Sequence, residues 1–564
     1  MAAWRQFIAV ARPYWTGNRK KTAWWMLGLL IALMLGETQL AVMLNDKAGE
    51  MTSALAARDA DRFWAAVLAT LAVLAFAVPI YAFYYYMRDA FANHWRRWLT
   101  GRFLDGYLGR RKYYELRTSG DIDNPDQRIS EDINTFTGRS VHFLLIVLGS
   151  AMQLVAFSAV LWSISHLMVA ILAVYALAGT FIALVVFGTP LIRLNFWQLR
   201  READFRFGLM RVRENAESIA FYGGEAQERA QIDERFGAVF DNFARLIKKQ
   251  RSLNLFQRSF SQLTLVVPNV ILAGSVLSGE LEVGRAVQAA GAFVAVLGAV
   301  SLIVDNFESL SRFVAGIGRL HALSQAVLTS AAAEARADTQ PRIRTEPADR
   351  FALESLTVCT PQSERVLIRE LDLSLEPGDG LLITGVSGCG KSSLLRAIAG
   401  LWCTGSGVVR HPPLDELFFL PQRPYMQLGT LRSQLAYPRT QSPVDDERLL
   451  QILREAHLPE LAARVDGLDA VQDWEKLLSV GEQQRLAFAR VLVYRPRIVM
   501  LDEATSALDQ RSEAALYRGL SEAGVTLISV AHRASVLRYH SRVLELKGDG
   551  DWALHPADGY RFDA

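Results

Sequence analysis

At 564 residues the chain is too long for one hydrophobic core, so at least two domains are expected. An apolar fraction of 51% beside 21% charged residues is high for a soluble protein and low for one wholly in lipid, which points to a membrane part joined to a soluble part. The net charge of +3 gives no reason to expect a nucleic-acid partner, and three unevenly spaced cysteines (Cys359, Cys389, Cys403) exclude a disulfide framework or a regular zinc site and suit a reducing cytosol.

The first segment carries Arg5, Arg12, Arg19, Lys20 and Lys21 and runs into a long apolar stretch. A secretory leader would have a shorter apolar core and a small-residue cleavage site. Residues 22–44 reach across a ~30 Å hydrocarbon core at ~1.5 Å per residue, so they read as a retained helix, with Trp24 and Trp25 in an interfacial belt. Further spans are expected at about 63–86, 140–162, 167–187, 260–277 and 287–304, giving six in all. Pro79 is tolerable in the second span, where neighbouring helices can satisfy the freed backbone group. The third and fourth are joined by Ser163-Ile164-Ser165-His166, and the fifth and sixth by a short turn with Gly and Glu. Glu37 lies inside the first span. It either lines a water-filled path, with a substrate or proton role, or sits near the outer interface bonded to a neighbouring helix. Asn269, after Pro268 in the fifth span, is open to the same two readings.

Charge sets the expected orientation. The segments after spans two and four are rich in Arg, from Arg88 to Arg117 and from Arg193 to Arg251, while the loop between spans three and four has no Lys or Arg. By the positive-inside rule the N-terminus, both long segments and the C-terminal domain are cytoplasmic. Phe91, Trp95 and Trp98 beside Arg96 and Arg97 show helical amphipathicity, so the spans should continue as helices into the cytosol. Residues 1–328 thus form a transmembrane domain. Residues 329–350, with Pro341, Pro347 and no apolar period, read as a linker to a domain at 351–564.

That domain carries the strongest signal. The apolar strand Leu381-Leu382-Ile383-Thr384 leads into Gly385-Val386-Ser387-Gly388-Cys389-Gly390-Lys391-Ser392, followed by Ser393 and a helical run from Leu394. This is G-x-x-x-x-G-K-[ST] in the strand–loop–helix context it requires. Its backbone N–H groups wrap the phosphates of ATP, Lys391 neutralises the β- and γ-phosphates, and Ser392 offers a hydroxyl to Mg2+. Downstream, Ile498-Val499-Met500-Leu501 ends in Asp502 and Glu503. Asp502 suits the magnesium, and Glu503 suits the general base for the attacking water.

Between them lies Leu478-Ser479-Val480-Gly481-Glu482-Gln483-Gln484-Arg485. With this motif the order of elements resembles ABC transporter ATPases. That resemblance implies two such domains sandwiching two ATP molecules, with Ser479, Gly481 and Glu482 of one copy at the γ-phosphate bound by the other. It also implies that Gln422 links magnesium to the membrane domain, that Ser506-Ala507-Leu508-Asp509 crosses the dimer interface, and that His532 contacts the γ-phosphate. Two departures stand out: Val480 where many relatives have Gly, and Glu482 where many have Gln. The segment where relatives place an adenine-stacking ring reads Val358-Cys359-Thr360-Pro361, so adenine is held by weaker apolar contacts or by a ring from elsewhere.

The membrane half resembles the SbmA/BacA-like and peroxisomal subfamily-D ABC transporters, through Asn124-Pro125-Asp126-Gln127-Arg128-Ile129 with Glu131-Asp132, Glu202-Ala203-Asp204-Phe205-Arg206-Phe207, and the run from Arg213 to Glu225. These stretches are expected near the coupling helices. The resemblance implies a homodimer in a bacterial inner membrane, importing a hydrophilic solute such as cobalamin or a peptide by alternating access. An exporter, an acyl-CoA-type lipid transporter, or an ATP-gated channel or regulator are the alternatives. Without an adenine-stacking ring, base selectivity is expected to be loose. Comparable rates of ATP and GTP hydrolysis support this, and a strict preference for ATP counts against it.

Overall fold

The computed structural model describes residues 2–120, 122–328, 342–360, 365–439 and 444–562. The chain divides into two compact units, Met1–Ala333 and Glu334–Ala564.

In the first unit six helices are long and apolar enough to cross a membrane. After a leading helix α1 (Ala2–Thr16) they are α2 (Lys20–Ala57), α3 (Ala60–Leu108), α4 (Pro125–Ile164), α5 (His166–Glu214), α6 (Glu225–Leu277) and α7 (Val283–Asp305). Helix α8 (Phe307–Leu328) follows a break at Asn306. The six apolar spans are those expected, and several run well past lipid. The 49 residues of α3 reach about 70 Å, more than twice a hydrocarbon core. Ser165 caps α5 by accepting from the Met168 N–H. Pro190 lacks an N–H to donate, and just ahead of it the ladder of α5 loosens into a π stretch, Ala183–Gly188.

Helix α1 was not foreseen, although its face Phe7, Val10, Ala11, Tyr14 has helical spacing. That face packs on a stripe of α3 repeating every fourth residue: Phe91, Trp95, Leu99 and Phe103, all buried. Tyr14 stacks on Trp95 with centroids 5.2 Å apart, and its hydroxyl meets His94 Nδ1 at 3.0 Å. Phe136 of α4 closes the cluster edge-on to Trp95. In the motif around Asn124, Asp126, Gln127 and Glu131 are exposed, while Arg128 and Ile129 turn inward. Arg128 is buried, pairs with Asp123 and donates to the Arg319 carbonyl of α8, while Asp132 takes both arms of Arg319. The second motif differs, ending in a turn where Phe221 and Tyr222 are 81% and 88% exposed.

Helices α2 and α7 cross where both lack side chains. A Cβ on Gly284 would lie 2.0 Å from the Gly49 carbonyl oxygen, so backbone meets backbone, and the Gly284 N–H donates to Ser53 Oγ at 3.1 Å. Asn45 donates to the Gln288 carbonyl and Gln288 to Asp46, extending the polar seam. At the adjoining turns Arg62 joins Glu50 and Glu282.

In the second unit, residues 329–341 of the expected linker lie outside the described residues. The rest of it is not wholly linker, since Arg344–Pro347 forms strand β1, paired parallel with β5 (Gly405–His411). All four β1 residues are exposed. Backbone pairing at a sheet edge holds them, and burial does not, which is why no apolar period announced the strand. The order in this sheet is β1-β5-β2-β3, with β2 at Phe351–Cys359 and β3 at Val366–Leu375. A second sheet has the order β10-β9-β4-β8-β7-β6. Its strands are β4 (Gly380–Gly385), β6 (Leu417–Leu420), β7 (Ile498–Asp502), β8 (Thr526–Val530), β9 (Arg542–Gly548) and β10 (Asp551–Pro556). All neighbours are parallel except β9 and β10. Strands β4, β7 and β8 are apolar and buried on both faces, as a covered parallel sheet requires.

The α2–α7 crossing generates a test. Gly284→Ala inserts a methyl group into backbone, an overpacking cost of about 1–3 kcal/mol, and is expected to lower the melting temperature of the purified protein by several degrees. Gly298→Ala, with nothing within 4 Å of the added Cβ, is expected to leave it in place.

Candidate functional site

Strands β4, β8, β7 and β6 are neighbours and parallel, so their carboxyl ends emerge along one edge of the sheet. In open α/β sheets that edge is where ligands bind. Beyond β4 lies the glycine loop, beyond β8 His532, at the end of β7 Asp502 and Glu503, and two residues beyond β6 Gln422.

The loop's shape is dictated by backbone contacts. Gly385 has φ 139° and a Cβ there would come 2.2 Å from the Leu546 carbonyl oxygen, so only glycine fits. Gly390, at φ 107°, turns the chain into helix α9 (Lys391–Ile398). Ser387 and Gly388 form the exposed crest, whereas the Cys389 side chain is buried in the core and leaves only its backbone facing the loop. Lys391 is buried, and its ammonium donates to the carbonyls of Gly385 and Val386 at 2.7 and 3.0 Å. The cation therefore sits in the curl of the loop, beside a helix N-terminus, as phosphate recognition requires.

Ser392, next to Ser393 in the first turn of α9, places Oγ 3.5 Å from Asp502 Oδ1. Burial pushes the Asp502 carboxyl above the ordinary carboxylate range, and the charge of Glu503 beside it adds to the rise. A hydroxyl, a carboxylate and the Gln422 amide are hard oxygen donors suited to Mg2+, and a cation there would offset the buried charge. Glu503 is a non-glycine residue at φ 48°, held by its N–H to the Val530 carbonyl at 3.1 Å. Strain of this kind costs of order 1–3 kcal/mol and concentrates at working sites. Its carboxylate accepts from Gln422 Nε2 at 3.1 Å and lies 3.4 Å from His532 Nε2.

The structure does not join Ser479 and Gly481 to this group. Ser479 caps helix α10 (Val480–Tyr494) in a reciprocal box with Glu482, accepting from the Glu482 N–H and donating its own N–H and hydroxyl to Glu482 Oε2. Among the described residues no hydrogen bond connects the box to Lys391 or Ser392. Burial raises the Glu482 carboxyl, yet the bonds from Ser479 and Arg464 outweigh it and leave the net direction downward. Arg464 Nη1 lies 2.7 Å from Glu482 Oε1. Asp509 caps helix α11 (Gln510–Glu522), and hydrogen bonds from Ser512, then Arg511, bring its carboxyl down to about 2.

Two residues that the motifs did not single out tie these parts together. Buried Gln484 donates to the Gln422 carbonyl at 3.0 Å and accepts from the Ala507 N–H at 3.2 Å, linking α10, the Gln422 loop and the Ala507–Asp509 turn. Arg533 donates to the carbonyls of Leu508 and Ser506, fixing the same turn to the residue beside His532. The sequence held a signal for Gln484, a polar residue in register with the buried Phe488 and Val491. In the segment expected to meet adenine, Pro361 lies outside the described residues. Trp402 Nε1 donates to the Cys359 carbonyl at 2.8 Å.

Glu482 carries its charge in the first turn of α10, and Arg464 balances it. Arg464→Ala is expected to raise the KM for ATP about fivefold, the size of a partly exposed ion pair of ~1 kcal/mol. Adding Glu482→Gln is expected to restore most of the loss. An unchanged KM in Arg464→Ala sinks this account.

Comparison with known proteins gives two family matches, ABC transporter transmembrane region 2 over residues 11–277 and ABC transporter over residues 368–506. The chain is 44% identical to an uncharacterized ABC transporter ATP-binding protein of Synechocystis sp., over 97% of this chain and 85% of that one. It is 34% identical to ABC transporter D family member 2, chloroplastic, of Arabidopsis thaliana, over 98% and 88%. It is 35% identical to the lysosomal cobalamin transporter of Homo sapiens, over 82% and 81%.

Proposed function

The chain belongs to the ABC transporters, with a membrane region and an ATPase domain fused in one polypeptide homologous to D-family half-transporters, and from that membership we propose how it works. Its activity is ATP hydrolysis coupled to transport. Two copies form a homodimer that closes on two ATP molecules. Each site combines the Lys391 loop of one copy with Ser479 and Gly481 of the other. In support, Ser479 and Gly481 stand at a helix N-terminus beside the half-exposed Val480, with no tie to their own chain's glycine loop among the described residues.

Lys391 and the loop N–H groups neutralise the phosphates. Ser392, Asp502 and Gln422 would hold magnesium, which when bound would supply positive charge at the phosphate oxygens. Glu503 takes a proton from water as its oxygen attacks the γ-phosphorus, and the bond to ADP breaks on the opposite side. His532 steadies the transferred phosphoryl group and the Glu503 carboxylate. ATP-driven closure and hydrolysis switch the membrane cavity between its two sides.

The convergence of Lys391, Ser392, Asp502, Glu503, Gln422 and His532 on one sheet edge, in a chain with six apolar spans, carries this reading. The membrane is a bacterial inner membrane, a reading supported by the bacterial relative, and the excess of Arg after spans two and four supports a cytoplasmic N-terminus and ATPase domain. The cargo is a hydrophilic solute, taken up. Uptake is the reading suggested by the resemblance of Asn124–Asp132 and Arg213–Glu225 to SbmA/BacA-like transporters, a resemblance shared with the peroxisomal subfamily-D ones, and the lysosomal cobalamin transporter among the relatives supports a hydrophilic cargo.

Glu503→Gln is expected to keep ATP binding, lose at least about a hundredfold in turnover, the scale of general-base catalysis, and accumulate an ATP-bound closed dimer. Wild-type-like turnover removes Glu503 from the role of base. Uptake of labelled cobalamin, a cationic peptide and an acyl-CoA into proteoliposomes of both orientations settles cargo and direction. Efflux alone, or transport of the acyl-CoA alone, overturns the import reading.

A further inference from the structure

Glu37 is the only charged residue between Lys21 and Asp46, in the apolar run of α2. A carboxylate there is costly unless something polar faces it, and translocon scales put the penalty at about 3 kcal/mol near a helix centre. The Tyr81 hydroxyl supplies one hydrogen bond and no charge. Beside it lies a cavity of about 190 Å³ bounded by α2, α3, α4 and Leu302 of α7. Glu37, Tyr84, Tyr85, His142, Ser150 and Gln153 supply its polar wall.

Three observations fix what the cavity suits. Ser150 is 7% exposed and its Oγ has no hydrogen-bond partner among the described residues, a buried polar atom awaiting one. Arg88, also on the wall, is already engaged: its Nε lies 2.9 Å from Asp89 and its guanidinium sits 5.0 Å from the Tyr85 ring centroid. His142 shares a hydrogen bond with Asn306. Arg88 is paired with Asp89, and among the described residues Glu37 has no ion pair. Oxygen acceptors at Ser150 and Gln153 line the same space, and together with the Glu37 carboxylate they favour a cation that donates hydrogen bonds. The volume equals about six water molecules, enough for a side-chain-sized group.

We propose that the Glu37 cavity is a binding subsite for a protonated amine carried by the transported solute, with Glu37 as its ionic anchor and Ser150 and Gln153 as hydrogen-bond acceptors. This rests on the transporter reading for its role in transport, and on the cavity alone for its chemistry.

The test uses the full chain in phosphatidylcholine nanodiscs, with empty discs subtracted, and three probes of one shape: benzylamine, benzyl alcohol and benzoate. Calorimetric titration is expected to show benzylamine binding at least about tenfold tighter than either analogue, the scale of one charge-assisted hydrogen bond. Glu37→Gln is expected to erase that preference. Ser150→Val, which fills the cavity and leaves the charge, is expected to weaken benzylamine while retaining the order of the three probes. Retained helicity and melting temperature check that both variants fold. Equal binding of the three probes by the parent protein, or an undiminished amine preference in Glu37→Gln, overturns the proposal. ATP hydrolysis measured on the same discs separates the two readings. Hydrolysis without amine selectivity removes the subsite and leaves the transporter, and amine selectivity without hydrolysis does the reverse.

Discussion

Parallel pairing of β4, β8, β7 and β6 is the constraint on which the chemistry of the ATPase unit depends. Because these strands run the same way, their carboxyl ends share one edge, and residues far apart in the chain meet there. Ser392 and Asp502 are separated by 110 positions, Gln422 and Glu503 by 81. Register has little freedom to slip, since β4, β7 and β8 are apolar and buried on both faces, and a shifted strand would misplace every ladder bond. The site is therefore assembled by the same hydrophobic burial that folds the sheet. At that edge the backbone of Glu503, tied to β8, departs from relaxed geometry.

Half of the expected ATP contact surface is not engaged within one chain. Ser479 satisfies its hydrogen bonds inside its own cap, and Glu482, the charged replacement in the signature, is balanced by Arg464. This arrangement is self-consistent electrostatically without a ligand, and a partner's phosphate would compete with Glu482 for the Ser479 hydroxyl. Gln484 ties the helix behind that surface to the Gln422 loop and the Ala507–Asp509 turn through part-buried hydrogen bonds, and Arg533, the residue beside His532, holds the same turn.

The membrane unit solves a different problem. Helices in lipid gain little from burying apolar surface, so close packing and polar contacts decide how they associate. The Gly49–Gly284 crossing and the Asn45–Gln288–Asp46 seam do this for α2 and α7, and the aromatic stack around Trp95 does it for α1, α3 and α4. In the Glu37 cavity, by contrast, Ser150 Oγ has no hydrogen-bond partner among the described residues.

The sequence by itself determined the six spans, the glycine loop with its flanking strand and helix, and the residue types that suit nucleotide chemistry. Each of these is a local matter: apolar length sets a span, and glycine spacing with Lys391 sets a phosphate loop. It also placed Asp502 and Glu503 at a strand end, because a buried apolar run must stop where carboxylates begin. Only the tertiary structure decided that Gln422, Glu503 and His532 touch, that Gln484 bridges three motifs, and that Arg128 is buried against α8. It alone turned part of the apparent linker into β1. These depend on strand order, on helix packing, or on backbone pairing at an edge with nothing buried, and the local pattern of residues does not specify which partners meet. Glu37 shows the division most plainly. The sequence exposed an unusual charge, and only packing showed the cavity and the Ser150 hydroxyl beside it.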